Sequence, residues 1–281
     1  MNRRIVWGDP LLDELQAEAA TETTRPAAAE PSTPISEPPK PSPTGPVIRS
    51  GHVTYHHDLI QGSDEWRAAR CGMLTASEMK LILTPTLKIA SNDKERSHLY
   101  ELLAQRITKY VEPAYVSDDM LRGINDELIA RALYAEHFSP VIEVGFITND
   151  RWGFTIGYSP DALIGVDGLL ECKSRRQKFQ IETWIENVPD RIPPQDYVLQ
   201  MQTGMLVSER DWCDLVSFSG GLPMAVIRVF ADQRIQDAII EAAAAFEKKL
   251  AIKLAKYEAA LRSIAKLIPT ERRVEQEMHL G

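Results

Sequence analysis

Three residues in the middle of the chain have the types and spacing to do chemistry together: Asp161, Glu171 and Lys173. Asp161 sits toward the end of the apolar run 154–164, and Glu171 and Lys173 lie one residue apart on the run 168–173. Strand side chains alternate between faces, so Glu171 and Lys173 point the same way and Cys172 points away. A hairpin brings Asp161 beside them. Two carboxylates and one ammonium on a small surface are costly unless a cation balances the acids. Hard oxygen donors suit Mg²⁺, with Mn²⁺ as a substitute. Such an ion would polarise a phosphate and activate water, and the lysine would stabilise or position the attacking oxygen. An aspartate followed by Glu-x-Lys is, taken alone, common on solvated strand faces. Here the charges interrupt runs that read as buried, Gly157-Tyr158-Ser159-Pro160 ahead of Asp161 and Gly168-Leu169-Leu170 ahead of Glu171. Buried charges require partners.

Helices and strands must carry these residues. Thr75-Ala76-Ser77-Glu78 reads as a capping box ahead of Met79, Leu81, Ile82 and Leu83, which predicts a helix start. Leu99, Leu102, Leu103 and Ile107 predict a helix over 92–111, and Leu121, Ile124, Leu128, Leu133 and Phe138 another over 119–138. The pattern then shifts to three strands, 141–147, 154–164 and 168–173, separated by turn signals at Asn149-Asp150 and Asp167-Gly168. A helix over 194–207, strands over 212–218 and 224–230, and a long helix over 233–267 ahead of Pro269 complete the series. The fold class is α/β, a small mixed sheet flanked by helices.

Of the 281 residues, 44% are apolar and 26% charged, as in one globular domain with some added tail. The formal charge of -8 argues against a general nucleic-acid coat protein, because phosphate binding rests on Lys and Arg. A metal-dependent enzyme, by contrast, gathers acids at its site and needs positive charge only along the path of its substrate. Lys173, Arg175, Arg176 and Lys178 form one such local cluster. Three irregularly spaced cysteines, Cys71, Cys172 and Cys213, suit neither a disulfide framework nor a Cys-x-x-Cys metal site. With no long apolar run and no secretory signal, the expectation is a cytoplasmic protein without a membrane partner. The histidines, His56 and His57 among them, show no metal-ligand spacing.

Residues 1–50 form a Pro/Ala-rich extension whose composition predicts disorder, with a short helical stretch expected at 7–15. Residues 51–232 form the domain that carries the trio, and 233–281 the C-terminal helix and a short tail. Along that helix Ile235, Ile239, Ala242, Phe246, Leu250, Leu254, Tyr257, Leu261, Ile264 and Ile268 recur at packing-seam spacing. Its first half is expected to pack on the domain and its second half to project toward a neighbouring subunit.

Further motifs stand in order. Gln61-Gly62-Ser63-Asp64-Glu65-Trp66 precedes Arg70-Cys71-Gly72-Met73-Leu74-Thr75-Ala76-Ser77. Arg122-Gly123 precedes Glu127, Ala130 and Arg131; Ser159-Pro160-Asp161 precedes Leu170-Glu171-Cys172-Lys173, and Tyr197-Val198-Leu199-Gln200-Met201-Gln202 closes the series. At these residues the chain resembles the phage lambda exonuclease and YqaJ-type viral recombinase nucleases of the PD-(D/E)xK superfamily. It departs from their pattern where Ser174 and Arg175 follow the lysine in place of Cys-Pro.

The resemblance implies a restriction-endonuclease-like core over 51–232. It implies that Asp161, Glu171 and the backbone carbonyl of Cys172 hold the metal, with Glu127 entering its inner or outer shell. Lys173 would serve the attacking water, and Gln200 would hold the water and lysine network with Tyr197 nearby. Arg70 and Ser77, in the helix start capped by Thr75, would bind a terminal 5′ phosphate, and Arg175 and Arg176 would lie on the DNA path. The implied activity is a 5′ to 3′ exonuclease on double-stranded DNA that makes single strands for recombination. The implied partners are further copies of the chain in a ring of three and a single-strand annealing protein. The alternatives are an endonuclease or CRISPR-adaptation nuclease of the same core, and a DNA-binding module that has lost catalysis. Three scattered cysteines cannot supply the four-cysteine cluster common in adaptation nucleases, and the intact Asp161, Glu171 and Lys173 argue against lost catalysis.

Overall fold

The computed structural model describes residues 47–113 and 117–272, so the stretch 7–15, the Pro-rich extension up to 46 and the tail after 272 lie outside the described residues. Two five-stranded mixed sheets organise the rest. The first has the order β1-β2-β5-β6-β3, with β1 Val47–Ser50, β2 Val53–His56, β3 Leu74–Thr75, β5 Phe146–Asn149 and β6 Ile156–Tyr158. The second has the order β10-β9-β8-β7-β4, with β4 Val141–Ile142, β7 Ala162–Ile164, β8 Gly168–Ser174, β9 Trp212–Phe218 and β10 Ala225–Phe230. The ladders are antiparallel except β3 with β6 and β8 with β9. β1 pairs with β2, so residues 47–50, which the sequence reading assigned to the extension, join the first sheet.

The single sheet expected from the sequence becomes two because two of the predicted strands break. The run 141–147 divides into β4 and β5, and the run 154–164 into β6 and β7, each pair shared between the sheets. In the second case the break falls at Ser159-Pro160-Asp161. Pro160 has no N–H for a ladder, and the chain crosses there from one sheet to the other. The Asp161 N–H stays tied to β8 by donating to the Leu170 carbonyl at 3.2 Å.

The helices are α1 Asp64–Arg70, α2 Met79–Ile82, α3 Asp93–Thr108, α4 Asp118–His137, α5 Gln177–Glu182, α6 Gln195–Ser208 and α7 Gln233–Ser263. The capping-box helix is shorter than its sequence suggests: a 3₁₀ turn, Ala76–Glu78, runs into one turn of α-helix and stops at Leu83. Pro85 biases Thr84 away from helical backbone. No element was expected between 173 and 194, yet α5 and a π-helical turn, Thr183–Asn187, occupy that segment.

The larger core includes Leu74, Met79, Leu102, Ile156, Leu169, Met205, Leu215 and Phe246, joining both sheets to α2, α3, α6 and α7. A smaller core lies under α4: Ala130, Tyr134, Ala162, Leu170, Cys172 and Val216. Alternation along β8 thus sends Leu169 to one core and Leu170 and Cys172 to the other. On α4 the apolar stripe that marks the helix in the sequence, Leu121, Ile124 and Leu128, is exposed, and the helix packs through Ala130 and Tyr134 instead. On α7, Ile239, Ala242, Phe246 and Leu250 are buried, while Tyr257 and, past the helix end, Ile264 and Ile268 are exposed. Ion pairs of Arg106 with Glu247 at 2.6 Å and Lys249 with Glu95 at 2.9 Å join α7 to α3.

Candidate active site

Strand alternation places Glu171 and Lys173 on the same face of β8, and the crossing at Pro160 delivers Asp161 beside them. The Asp161 carboxylate accepts the Cys172 backbone N–H at 2.5 Å, so the hairpin itself sets the spacing of the two acids. Glu171 is only 2% exposed, and both of its carboxylate oxygens have polar partners. Its Oε1 pairs with Lys173 Nζ at 2.6 Å and accepts from Gln200 Nε2 of α6, while Oε2 accepts from Tyr158 OH at 2.8 Å. Tyr158 can reach it because α6 has glycine at 204, where a Cβ would stand 2.6 Å from the tyrosine ring.

From α4, Glu127 faces the same charges, and Arg131 donates to the Asp161 carbonyl at 3.1 Å. Asp126 accepts from the Ser174 hydroxyl at 2.5 Å. Tyr197 lies with its ring 5.6 Å from Lys173 Nζ, and its hydroxyl accepts from Arg175 at 2.9 Å.

The charges do not balance. Burial first, then the neighbouring Glu171, pushes the Asp161 carboxyl up to about 8. Burial likewise raises Glu127, with Lys173 pulling it back and Glu171 adding to the rise. For Lys173 burial would lower the pKa, but Glu171 and Asp161 outweigh it and hold the ammonium above the ordinary lysine value. Two buried carboxylates against one ammonium form a hard-oxygen site with negative charge to spare. That fits Mg²⁺, which is held by one or two carboxylates with waters and phosphate oxygens completing its octahedron. Among the described residues no three His, Cys, Asp or Glu side chains gather into a metal-holding group. Glu127 stands close enough to the pair for Lys173 and Glu171 both to act on its charge.

A second polar cluster abuts the first through Ser159. Arg70, at the end of α1, donates to Ser159 Oγ at 3.2 Å and Thr75 Oγ1 at 3.3 Å, and its guanidinium lies 4.3 Å from the Trp66 ring centroid. Trp66 Nε1 donates to the same Ser159 Oγ at 3.0 Å. Ser77 Oγ is 3.3 Å from Thr75 Oγ1. The Thr75 hydroxyl gives its proton to Glu78 at 2.7 Å, and Glu78 also accepts the Thr75 N–H at 3.2 Å, so the glutamate reaches back as expected. Burial lowers the pKa of Arg70, and Glu78 works against that shift.

The structure thus brings together all the catalytic residues proposed from the sequence and, separately, Arg70, Thr75 and Ser77. Arg175 and Arg176 line a groove next to Tyr197. The sequence pattern gave no role to Tyr158, Asp126, Arg131, Ser159 or Trp66. Trp66, Arg131 and Ser159 stand within the family-like motifs, and Tyr158 and Asp126 were signalled only by position, next to Ser159 and Glu127.

A carboxylate pair and a lysine at the end of a strand hairpin, in a mixed sheet flanked by helices, define a nuclease of the restriction-endonuclease-like class. The chain matches the YqaJ-like viral recombinase domain over residues 65–211, just over half its length. It belongs to that family. Among solved structures it is similar to an alkaline exonuclease, LHK-Exo, from Laribacter hongkongensis: 30% identity, 72% of this chain and 100% of that chain covered, TM-score 0.63. The same exonuclease in complex with dAMP aligns with 31% identity, the same coverage and a TM-score of 0.64. No curated protein matches the chain.

Proposed function

We propose that the protein is a Mg²⁺-dependent exonuclease that degrades one strand of linear double-stranded DNA from 5′ to 3′, making single strands for phage-type homologous recombination. The observation that carries this reading is the buried Asp161–Glu171–Lys173 centre, joined through Ser159 to the Arg70 cluster. Asp161, Glu171 and the Cys172 carbonyl would hold the ion, with Glu127 reaching it through water. When bound, Mg²⁺ polarises the scissile phosphate and lowers the pKa of water. Lys173 stays protonated in its ion pair with Glu171 and so orients the attacking oxygen rather than taking its proton. Gln200 and Tyr158 fix Glu171 from the other side. Arg70, Thr75 and Ser77 would receive the terminal phosphate, a guanidinium fork beside two hydroxyls. Cleavage of the P–O3′ bond leaves a fresh 5′ phosphate on the shortened strand, which recreates the group this cluster binds.

The relatives named exonucleases and the recombinase family support the activity. The exposed apolar residues beyond the middle of α7 support contact between copies, as in a ring of three. A single-strand annealing protein would take the product strand, and the cytoplasm of a bacterial or phage-infected cell is the setting. The test is digestion of end-labelled linear duplex with and without Mg²⁺, carrying either a 5′ phosphate or a 5′ hydroxyl, beside a circular duplex. Loss of label from the 5′ end, faster on the phosphorylated substrate and absent on the circle, is expected. Losing one charge-assisted contact costs about 1.5–3 kcal/mol, so Arg70→Ala should reduce the phosphate preference by roughly ten- to a hundred-fold. Equal rates on both 5′ ends in the wild type would refute the end-recognition role.

A further inference from the structure

Helix α3 buries a histidine next to the Arg70 cluster. His98 is 2% exposed, and its ring stacks on Phe246 of α7 with centroids 5.5 Å apart and planes 21° off parallel. Each ring nitrogen faces a carboxylate. Nδ1 stands 3.5 Å from Glu101 Oε2, one turn along the helix, and Nε2 stands 3.8 Å from Glu78 Oε2 in the 3₁₀ turn. Nε2 is buried and has no hydrogen-bond partner among the described residues. The other charges between α3 and α7, Glu95 with Lys249 and Arg106 with Glu247, are paired with each other. The Glu78 oxygen that His98 faces is the one that accepts both the Thr75 N–H and the Thr75 hydroxyl. Thr75 in turn accepts from Arg70, and the charge of Glu78 acts on that guanidinium.

We infer that His98 is a positioning residue for the terminal-phosphate site: as an imidazolium it neutralises Glu78, and when it loses its proton the site binds the phosphate more weakly. The inference rests on reading the Arg70 cluster as the receiver of a 5′ phosphate. An incoming phosphate competes with Glu78 for the field of Arg70, and an uncompensated carboxylate behind Thr75 repels it. A neutral imidazole has one donor, so one of its nitrogens would turn a lone pair toward an acid, whereas the cation donates from both. Only the cation satisfies Glu78 and Glu101 at once. Histidine is the side chain that changes charge between about pH 5 and 8, so the arrangement makes phosphate affinity answer to pH. A histidine kept for packing alone would move stability and leave the phosphate preference untouched.

The test compares the affinities of a 5′-phosphorylated and a 5′-hydroxyl duplex, by anisotropy with the full chain in Ca²⁺, from about pH 6 to about pH 9. The ratio of the two affinities isolates the terminal phosphate. That phosphate titrates too, but equally for wild type and variant. Relative to His98→Gln, which keeps a donor without the charge, the wild-type ratio is expected to be about 3- to 10-fold higher at the acid end and to converge with it at the alkaline end. Glu101→Gln, on the exposed side of the ring, should move the wild-type decline to lower pH, because it removes one of the acids that favour the cation. Phosphate preferences that run parallel with pH in wild type and His98→Gln would overturn the role of His98. Should His98→Gln fail to fold, parallel preferences in wild type and Glu101→Gln would do the same. A wild type blind to the 5′ phosphate at every pH would sink the end-recognition reading instead, and the role of His98 with it.

Discussion

Neighbouring strands of the second sheet each bury a carboxylate, and the two are satisfied in opposite ways. Asp214 of β9 and Glu171 of β8 are both 2% exposed, and each accepts a tyrosine hydroxyl, from Tyr134 at 2.6 Å and from Tyr158 at 2.8 Å. Asp214 also takes a two-pronged grip from Arg228, at 2.7 and 2.8 Å, with the guanidinium stacked 3.6 Å from the Trp212 centroid. One acid meets one planar cation and the charges cancel. Its hydrogen bonds raise Arg228 above the ordinary arginine value. Glu171 shares a single ammonium with Asp161, and the shortfall appears as an Asp161 carboxyl pushed up to about 8. A buried acid with its own cation holds a fold together, whereas a buried pair with half a cation is poised to receive another. The same chemistry becomes structure or site according to the count of charges.

The largest expected effect separates the two acids by activity. Glu171→Gln and Lys173→Ala should each lower the hydrolysis rate by about 10³-fold or more while the protein stays folded, since each removes a group from the reacting arrangement. Asp214→Asn should do the reverse, losing about 2–4 kcal/mol of stability in a denaturant melt with the rate per folded molecule near wild type. An Asp214→Asn protein that folds normally and has lost catalysis would erase the distinction.

Metal binding offers a sharper and somewhat smaller contrast. At a hundred-fold excess of Mg²⁺ over its dissociation constant, the wild type should gain about 2.7 kcal/mol against unfolding. Asp214→Asn should keep that gain, and Glu171→Gln should lose most of it. Equal Mg²⁺ stabilisation in all three proteins would place the ion elsewhere.

The last contrast is a pH dependence without metal. In the folded chain Asp161 holds a proton up to about 8, whereas its ordinary value is 3.8. Between those values the folded state binds the proton that the unfolded chain has released, so this group's contribution falls as pH rises from about 4 to about 8 and is level above. Asp161→Asn removes the titration and should flatten that decline in metal-free buffer. Parallel stability–pH curves for the two proteins would show that the carboxyl is not held protonated.

Much of this arrangement was legible without coordinates where the interactions are local. The alternation of β8 placed Glu171 with Lys173, the helical spacing around Leu99, Leu102 and Leu103 located α3, and Asp161 fell next to Glu171 because a hairpin permits little else. The exposed stripe on α4 shows where local pattern misleads. Leu121, Ile124 and Leu128 have the period of a buried face, yet Ala130 and Tyr134 are what β8 accepts beneath the helix. Helix α5 was missed because its segment, Gln177 to Glu182, has no side-chain cap and runs into a π-helical turn.

The residue types and their spacing along the chain therefore determined the reactive trio, the helices that flank it and the lack of a cysteine framework. Only the tertiary structure decided that Tyr158 of the first sheet, Glu171 of the second and Gln200 of α6 would meet at one carboxylate. It alone set Arg70 against Ser159 and Arg175 against Tyr197. The reason is physical: alternation and helical period act over a few residues, but the charge balance of a buried site is the sum over every element that packs against it, and that sum exists only once the sheets have closed.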